Sequence, residues 1–199
     1  MRNINLIKGI RYTPEKLMAA MAKNKRLAHI ECTPVNVLYS PCWIFAFHVA
    51  FELIMKKTRH VGFWGGVDEI KVTPGLVREL PQWEETEVAE INVLPDKMTE
   101  EEAADLAWDY NKRWVAKKHR MLIFKPPVRT KTDTYKLYKP VYMLKFYNKD
   151  LDQTLFKVLD SLTGELENIV VKDLPGPTPV PEEYIKPQSG RYGVENLSI

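Results

Sequence analysis

Two stretches of this chain read almost as one phrase: LYSPCWIFAF at 38–47 and LYKPVYMLKF at 137–146. Leu, Tyr, Pro and Phe recur in place, and the residues between them exchange like for like: Cys42 with Val141, Trp43 with Tyr142, Ile44 with Met143, Phe45 with Leu144. The aromatic and β-branched content with a period of two predicts strands. In the first copy Tyr39, Trp43, Phe45, Phe47, Val49 and Phe51 share a face, opposite Cys42, Ile44, Ala46, His48, Ala50 and Glu52. In the second, Tyr138, Tyr142, Leu144 and Phe146 lie opposite Lys139, Val141, Met143 and Lys145. One aromatic face and one mixed face predict an antiparallel sheet covered by a helix on one side. Pro41 and Pro140 have no N–H to give to a ladder, so each is expected at a strand start or on an edge.

The likeness extends in both directions. Upstream lie TPEKLMAAMAKNKRL at 13–27 and TEEEAADLAWDYNKRWVAKKHRM at 99–121, both reading as helices opened by a Thr cap. Pro14 suits the first helical position, and Thr99 with Glu102 has the spacing of a capping box. Ala103, Leu106, Ala107, Tyr110 and Trp114 define an expected apolar stripe on the second helix. Downstream, GFWGGVDEI at 62–70 aligns with TLFKVLDSL at 154–162, so Asp68 corresponds to Asp160. VRELP at 77–81 then aligns with VKDLP at 171–175. VLDSLTGELENIVV at 158–171 reads as a hairpin in which Gly164 takes a positive φ and Asp160 bonds the turn amides. In the first half the Gly moves to 75, after Pro74, so the two turns are expected to differ in shape.

Matching order with unequal gaps marks a diverged duplication. The fold class read from it is α+β: two tandem helix-on-antiparallel-sheet repeats, 1–82 and 83–175, packed together or sharing one sheet. Residues 176–199 form a Pro/Gly-rich tail, either disordered or an arm docked through Tyr184, Ile185, Tyr192 and Leu197.

The second half carries the resemblance to known proteins. Leu159-Asp160-Ser161-Leu162-Thr163-Gly164-Glu165, with Thr99-Glu100-Glu101-Glu102-Ala103 upstream, resembles the PepSY-type unit and, more loosely, the cystatin-like helix across a curled antiparallel sheet. The likeness covers about 99–175, and reaches 13–81 only through the internal repeat, where the Thr-Gly is absent. It implies a non-enzymatic module that binds or restrains another protein, and it brings no catalytic residues.

With 199 residues, 45% hydrophobic and 28% charged, the chain can bury a core of ordinary composition. A formal charge of +3 demands no anionic partner. Two cysteines without a CxxC spacing suit free, buried thiols in a reducing compartment. The amino-terminal residues lack a signal-peptide core, and the most apolar run, 42–55, falls short of a membrane span. These features lead to the expectation of a soluble, cytoplasmic protein.

Candidate chemistry is sparse. His48 and Glu52 share a strand face, yet lie about 13 Å apart along an extended strand. His60 is placed to approach His48 across the hairpin. With Asp68 these four are the candidate lining of a ligand pocket between helix and sheet. His29 and Cys32 lack a second ligand pair for zinc, Cys42 suits an apolar filler, and GFWGG lacks the lysine and helix of a phosphate loop. No metal, cofactor or catalytic residue is therefore assigned. Acid-first, base-last charge along 100–120 is what a helix dipole favours, so a nucleic-acid surface is not expected, though Lys112, Arg113, Lys117, Lys118, His119 and Arg120, with Lys125, Arg129 and Lys131 after them, would supply it. Trp64, followed by Gly65 and Gly66, if at a hairpin tip, and Trp83 are the candidate partner contacts. The leading expectation is a binding or regulatory module without catalytic activity, acting on a protein partner, with its less aromatic face as the candidate homodimer surface. The alternatives are a small-ligand binder or enzyme, and a nucleic-acid-associated factor.

Overall fold

A computed structural model describes residues 1–52, 58–119 and 128–168. The tail at 176–199, the VKDLP segment, and Arg120 and Lys125 lie outside the described residues. Within them are eight strands: β1 Arg2–Ile7, β2 Ile30–Glu52, β3 Thr58–Asp68, β4 Thr73–Val77, β5 Trp83–Val88, β6 Val128–Asn148, β7 Gln153–Asp160 and β8 Leu166–Asn168. Two helices accompany them, α1 Pro14–Lys23 and α2 Glu100–His119. The class is α+β, with a large sheet ordered β4-β3-β2-β6-β1-β5, and β7 and β8 continuing from the second half of β6. The sheet is mixed, because β1 runs parallel to β6. A wholly antiparallel sheet was expected; β1, a six-residue strand outside the repeated phrase, is the exception, and it pairs antiparallel with β5 on its other side.

The repeated phrase pairs with itself. β2 and β6 are antiparallel, and Leu38 faces Val141, Tyr39 faces Pro140, Ser40 faces Lys139, Pro41 faces Tyr138 and Cys42 faces Leu137. Both prolines therefore sit in the middle of the two longest strands, not at their starts or on an edge. The reason is local. The N–H and C=O of one strand residue point the same way, and the Pro41 carbonyl accepts from the Glu69 N–H at 3.3 Å on the β3 side. The missing N–H thus falls where β3 leaves β2, beside the last pair Cys42–Asp68, and costs no β2–β6 ladder bond. Pro140 has the matching place on β6, between the Leu6–Tyr138 pair with β1 and the Val141–Asp160 pair with β7.

The caps form as the residues demand. The Thr13 hydroxyl accepts from Lys16 N at 3.4 Å. Thr99 and Glu102 exchange bonds of 2.8 and 3.3 Å in a capping box. α2 lies on Trp43, Phe45, Phe47 and Val67 through Ala103, Ala104 and Ala107. α1 lies on Leu144 and Leu159 through Leu17, with Met21 beside it. Each helix thus covers strands from the other half of the chain. The stripe on α2 is rotated from the expected one: Asn111 and Val115 are buried and Tyr110 is exposed. Small side chains set that rotation, because α2 approaches the sheet closely over Gly65, where an added Cβ would stand 3.0 Å from Asn111 Nδ2 and 3.4 Å from Ala107 Cβ.

Ile4-Asn5-Leu6-Ile7 and Ile91-Asn92-Val93-Leu94 also hold matching places. Leu6 runs parallel beside Tyr138 and Val93 bridges in parallel to Tyr39. Ile7 packs with Ile44, Leu137 and Leu162, whereas Leu94 packs with Leu38, Val141 and Ile70.

Candidate functional site

At the crossing of β2 and β6, Lys139 is 5% exposed and faces the fully buried Ser40. A buried ammonium needs counter-charge, and two carboxylates supply it. Lys139 Nζ donates to Asp68 Oδ2 at 2.5 Å and to Asp160 Oδ2. The other oxygen of each Asp builds the turn after its strand. Asp68 Oδ1 accepts from Ile70 N at 3.0 Å and Lys71 N at 3.4 Å; Asp160 Oδ1 accepts from Leu162 N at 2.8 Å and Thr163 N at 3.1 Å. Two aligned residues from opposite halves thus converge on one lysine. Lys71 extends the cluster, 2.5 Å from Glu165 Oε2 and 2.6 Å from Glu167 Oε1.

Burial alone would lower the affinity of Lys139 for its proton, but Asp68 and Asp160 outweigh it and hold the ammonium above the ordinary lysine range. Burial alone would raise Asp160; Lys139 and the turn amides bring it below the ordinary carboxylate range. Lys71 is likewise held charged, its carboxylate partners overcoming burial. Lys139 and Lys71 are held as ammoniums and Asp160 as a carboxylate, which makes the two lysines poor nucleophiles and that aspartate a poor base. Cys42, whose thiol donates to Leu137 O at 3.5 Å, is pushed up to about 12 by burial and stays protonated.

Two open cavities flank β4. A trough of about 800 Å³ is lined by Ile44, Val67, Leu76 and Gln82, with Lys139 and Asp68 among its polar residues. A second groove, about 940 Å³, is lined by His48, Phe63, Arg78, Trp114 and Lys118. His48 and His60 meet, their exposed rings stacked at 5.0 Å. Glu52 ends β2 opposite Thr58, and its side chain lies outside the described residues. Asp68 is not with the histidines; it lines the trough and belongs to the lysine cluster. Trp64 is not at a hairpin tip but in mid-strand, between Ala46 and Val77, half-buried against Tyr135 at 5.9 Å. Trp83 is 36% exposed and also packs on Tyr135, at 5.3 Å. Among the described residues no three His, Cys, Asp or Glu side chains converge as a metal site would need. Much of the base-rich stretch is paired with acids of α2, as in Lys112–Asp109, Arg129–Asp105 and Lys131–Glu100.

The alignment of Asp68 with Asp160 was the signal for the cluster. Lys139 carried none, since lysine on the mixed face of a strand reads as a solvated residue. Glu69, buried with its Oε2 accepting from Lys97 N at 2.6 Å, was equally silent. No protein-family model matches this chain, and no curated protein or solved structure was found to resemble it. No helix among the described residues is long and apolar enough to cross a membrane.

Proposed function

We propose that this chain is a cytoplasmic binding module without catalytic activity, built from two PepSY-like helix-and-strand units that exchange helices, and that it works through contacts with a protein partner. The observation that carries this reading is the charged joint at Lys139. Lys139 is held between the two aspartates and Lys71 by Glu165 and Glu167, a use of these charges that braces the trough as a surface suited to holding a chain. The duplication is supported by the self-pairing phrase, by the two Asp turns and by the matching places of Ile7 and Leu94. Photocrosslinking tests the function. With Gln82→p-benzoylphenylalanine on the trough wall, a discrete protein adduct forms in cells producing the full chain, and Gln153→p-benzoylphenylalanine on β7 does not give that adduct. Absence of any protein adduct, together with a retained small molecule in native mass spectrometry, would overturn it.

A small-ligand binder is the second reading, favoured by the trough volume, which falls in the range of ligand pockets.

A further inference from the structure

The reading as a protein-binding module leaves open what kind of segment is bound, and β3 offers an answer. β4 pairs with β3 only from Trp64–Val77 to Asp68–Thr73. Residues 58–63 of β3 are paired with β2 on one side, from Glu52–Thr58 to Phe47–Phe63, and among the described residues no strand pairs with the other side. An open edge of this kind is a template for main-chain hydrogen bonds. Gly62 leaves the sheet face beside it uncrowded: a Cβ there would meet nothing nearer than Phe47 O at 3.9 Å.

The surroundings select by charge. Arg78 stands where the chain leaves β4, and both Arg78 and Lys118 line the 940 Å³ groove beside the edge. Lys118 Nζ lies 4.4 Å over the Trp114 ring. Arg59 is on the edge itself, and the guanidinium of neither Arg59 nor Arg78 makes an ion pair or hydrogen bond among the described residues. Asp133 is the single carboxylate among the residues lining the groove. A basic strand would be repelled here and an acidic one drawn in.

Resting on the protein-binding reading, we propose that the outer edge of β3 at 58–63 receives an extended acidic segment of a partner protein, added as a strand in line with β4. A peptide backbone answers an open ladder; a nucleic-acid backbone offers phosphates to the cations but no partner for the ladder's carbonyls.

The test uses the full chain and a fluorescein-labelled (Glu-Val)5 peptide, read by anisotropy and by amide NMR shifts. Binding with shifts centred on 58–63 is expected, together with at least about tenfold weakening in Arg59→Glu/Arg78→Glu/Lys118→Glu and further weakening in high salt. All three substitutions are on the surface, and unchanged urea unfolding shows that the variant is folded. No binding at millimolar peptide, equal binding of (Lys-Val)5, or shifts elsewhere overturns the proposal. Tighter binding of a (dT)12 oligonucleotide through the same cations overturns it in favour of nucleic acid. If the Gln82 adduct forms in cells while the peptide fails, the edge proposal falls and the module reading stands; if the peptide fails, no adduct forms and a small molecule is retained, both fall.

Discussion

Replacing Lys139 with Met tests whether the cluster holds the two halves together. Asp68 Oδ2 and Asp160 Oδ2 both contact Lys139 Nζ, so they lie within about 5 Å of each other, and at an effective dielectric near 20 their bare repulsion is about 3 kcal/mol. Breaking a buried ionic network by removing one partner typically costs about 3–5 kcal/mol. Asp68 is 18% exposed at its side chain and can recover some hydration, which places the expected loss at the lower end, about 3–4 kcal/mol. A second substitution separates charge from volume. Asp160→Asn keeps Oδ1 for the turn amides and removes one negative charge, so Lys139→Met/Asp160→Asn should be more stable than Lys139→Met by about 1–2 kcal/mol. Urea unfolding followed by the fluorescence of the five tryptophans reads both. A cost below about 1 kcal/mol for Lys139→Met, or a further loss on adding Asp160→Asn, would refute the reasoning.

Three more expectations follow from particular residues. Val72 has φ 49°, a left-handed conformation that a β-branched residue resists, and it is half exposed; Val72→Gly should raise stability by about 0.5–1 kcal/mol after the entropy of glycine is subtracted, and an unchanged urea midpoint would argue against strain there. Gly65→Ala would bring a Cβ to 3.1 Å from Phe47 Cε2 and 3.0 Å from Asn111 Nδ2, lifting α2 and costing about 1–3 kcal/mol, whereas a neutral result would mean that the helix is free to shift. The cluster also sets pH limits. Asp160 is lowered on folding, so its contribution is full above the ordinary carboxylate value near ~4 and is lost as pH falls through its folded value; Lys139 is raised, so its contribution is full below ~10.4 and is lost as pH rises through its folded value. Stability measured against pH should fall at both ends in the natural chain and more gently in Lys139→Met/Asp68→Asn/Asp160→Asn; parallel curves would remove the cluster from the account.

The elements that local chemistry dictates were legible in the residues. Thr13, Pro14, Thr99 and Glu102 mark the helix starts, and Gly164, with φ 78°, turns the second hairpin beside Asp160 as its sequence implies. The first turn was not legible, because its positive φ falls on Val72 and not on Gly75. What depends on distant partners was hidden. Pro41 and Pro140 argue locally against mid-strand positions, and only the departure of neighbouring strands makes room for them. Tyr110 and Asn111 exchange roles on α2 because the sheet comes near at Gly65, which no helical period records. At the site, the Asp68–Asp160 correspondence was visible and the stacking of His48 on His60 followed from the hairpin. Asp68 is separated from the histidines by strand length, since β3 runs unbroken from Thr58 to Asp68 and the eight residues from His60 to Asp68 span about 26 Å.

The state of Lys139 decides the account. A nitrogen-detected NMR titration of its side chain should show a protected, fully charged ammonium with hydrogen-bond couplings to both Asp68 and Asp160, unchanged from neutral pH to beyond the ordinary lysine range. A coupling to one carboxylate alone would contradict the joint between the two halves, and a neutral amine near pH 7 would contradict the whole account: such a lysine would be a free nucleophile in the trough, and a module without catalytic activity would no longer be the reading that fits.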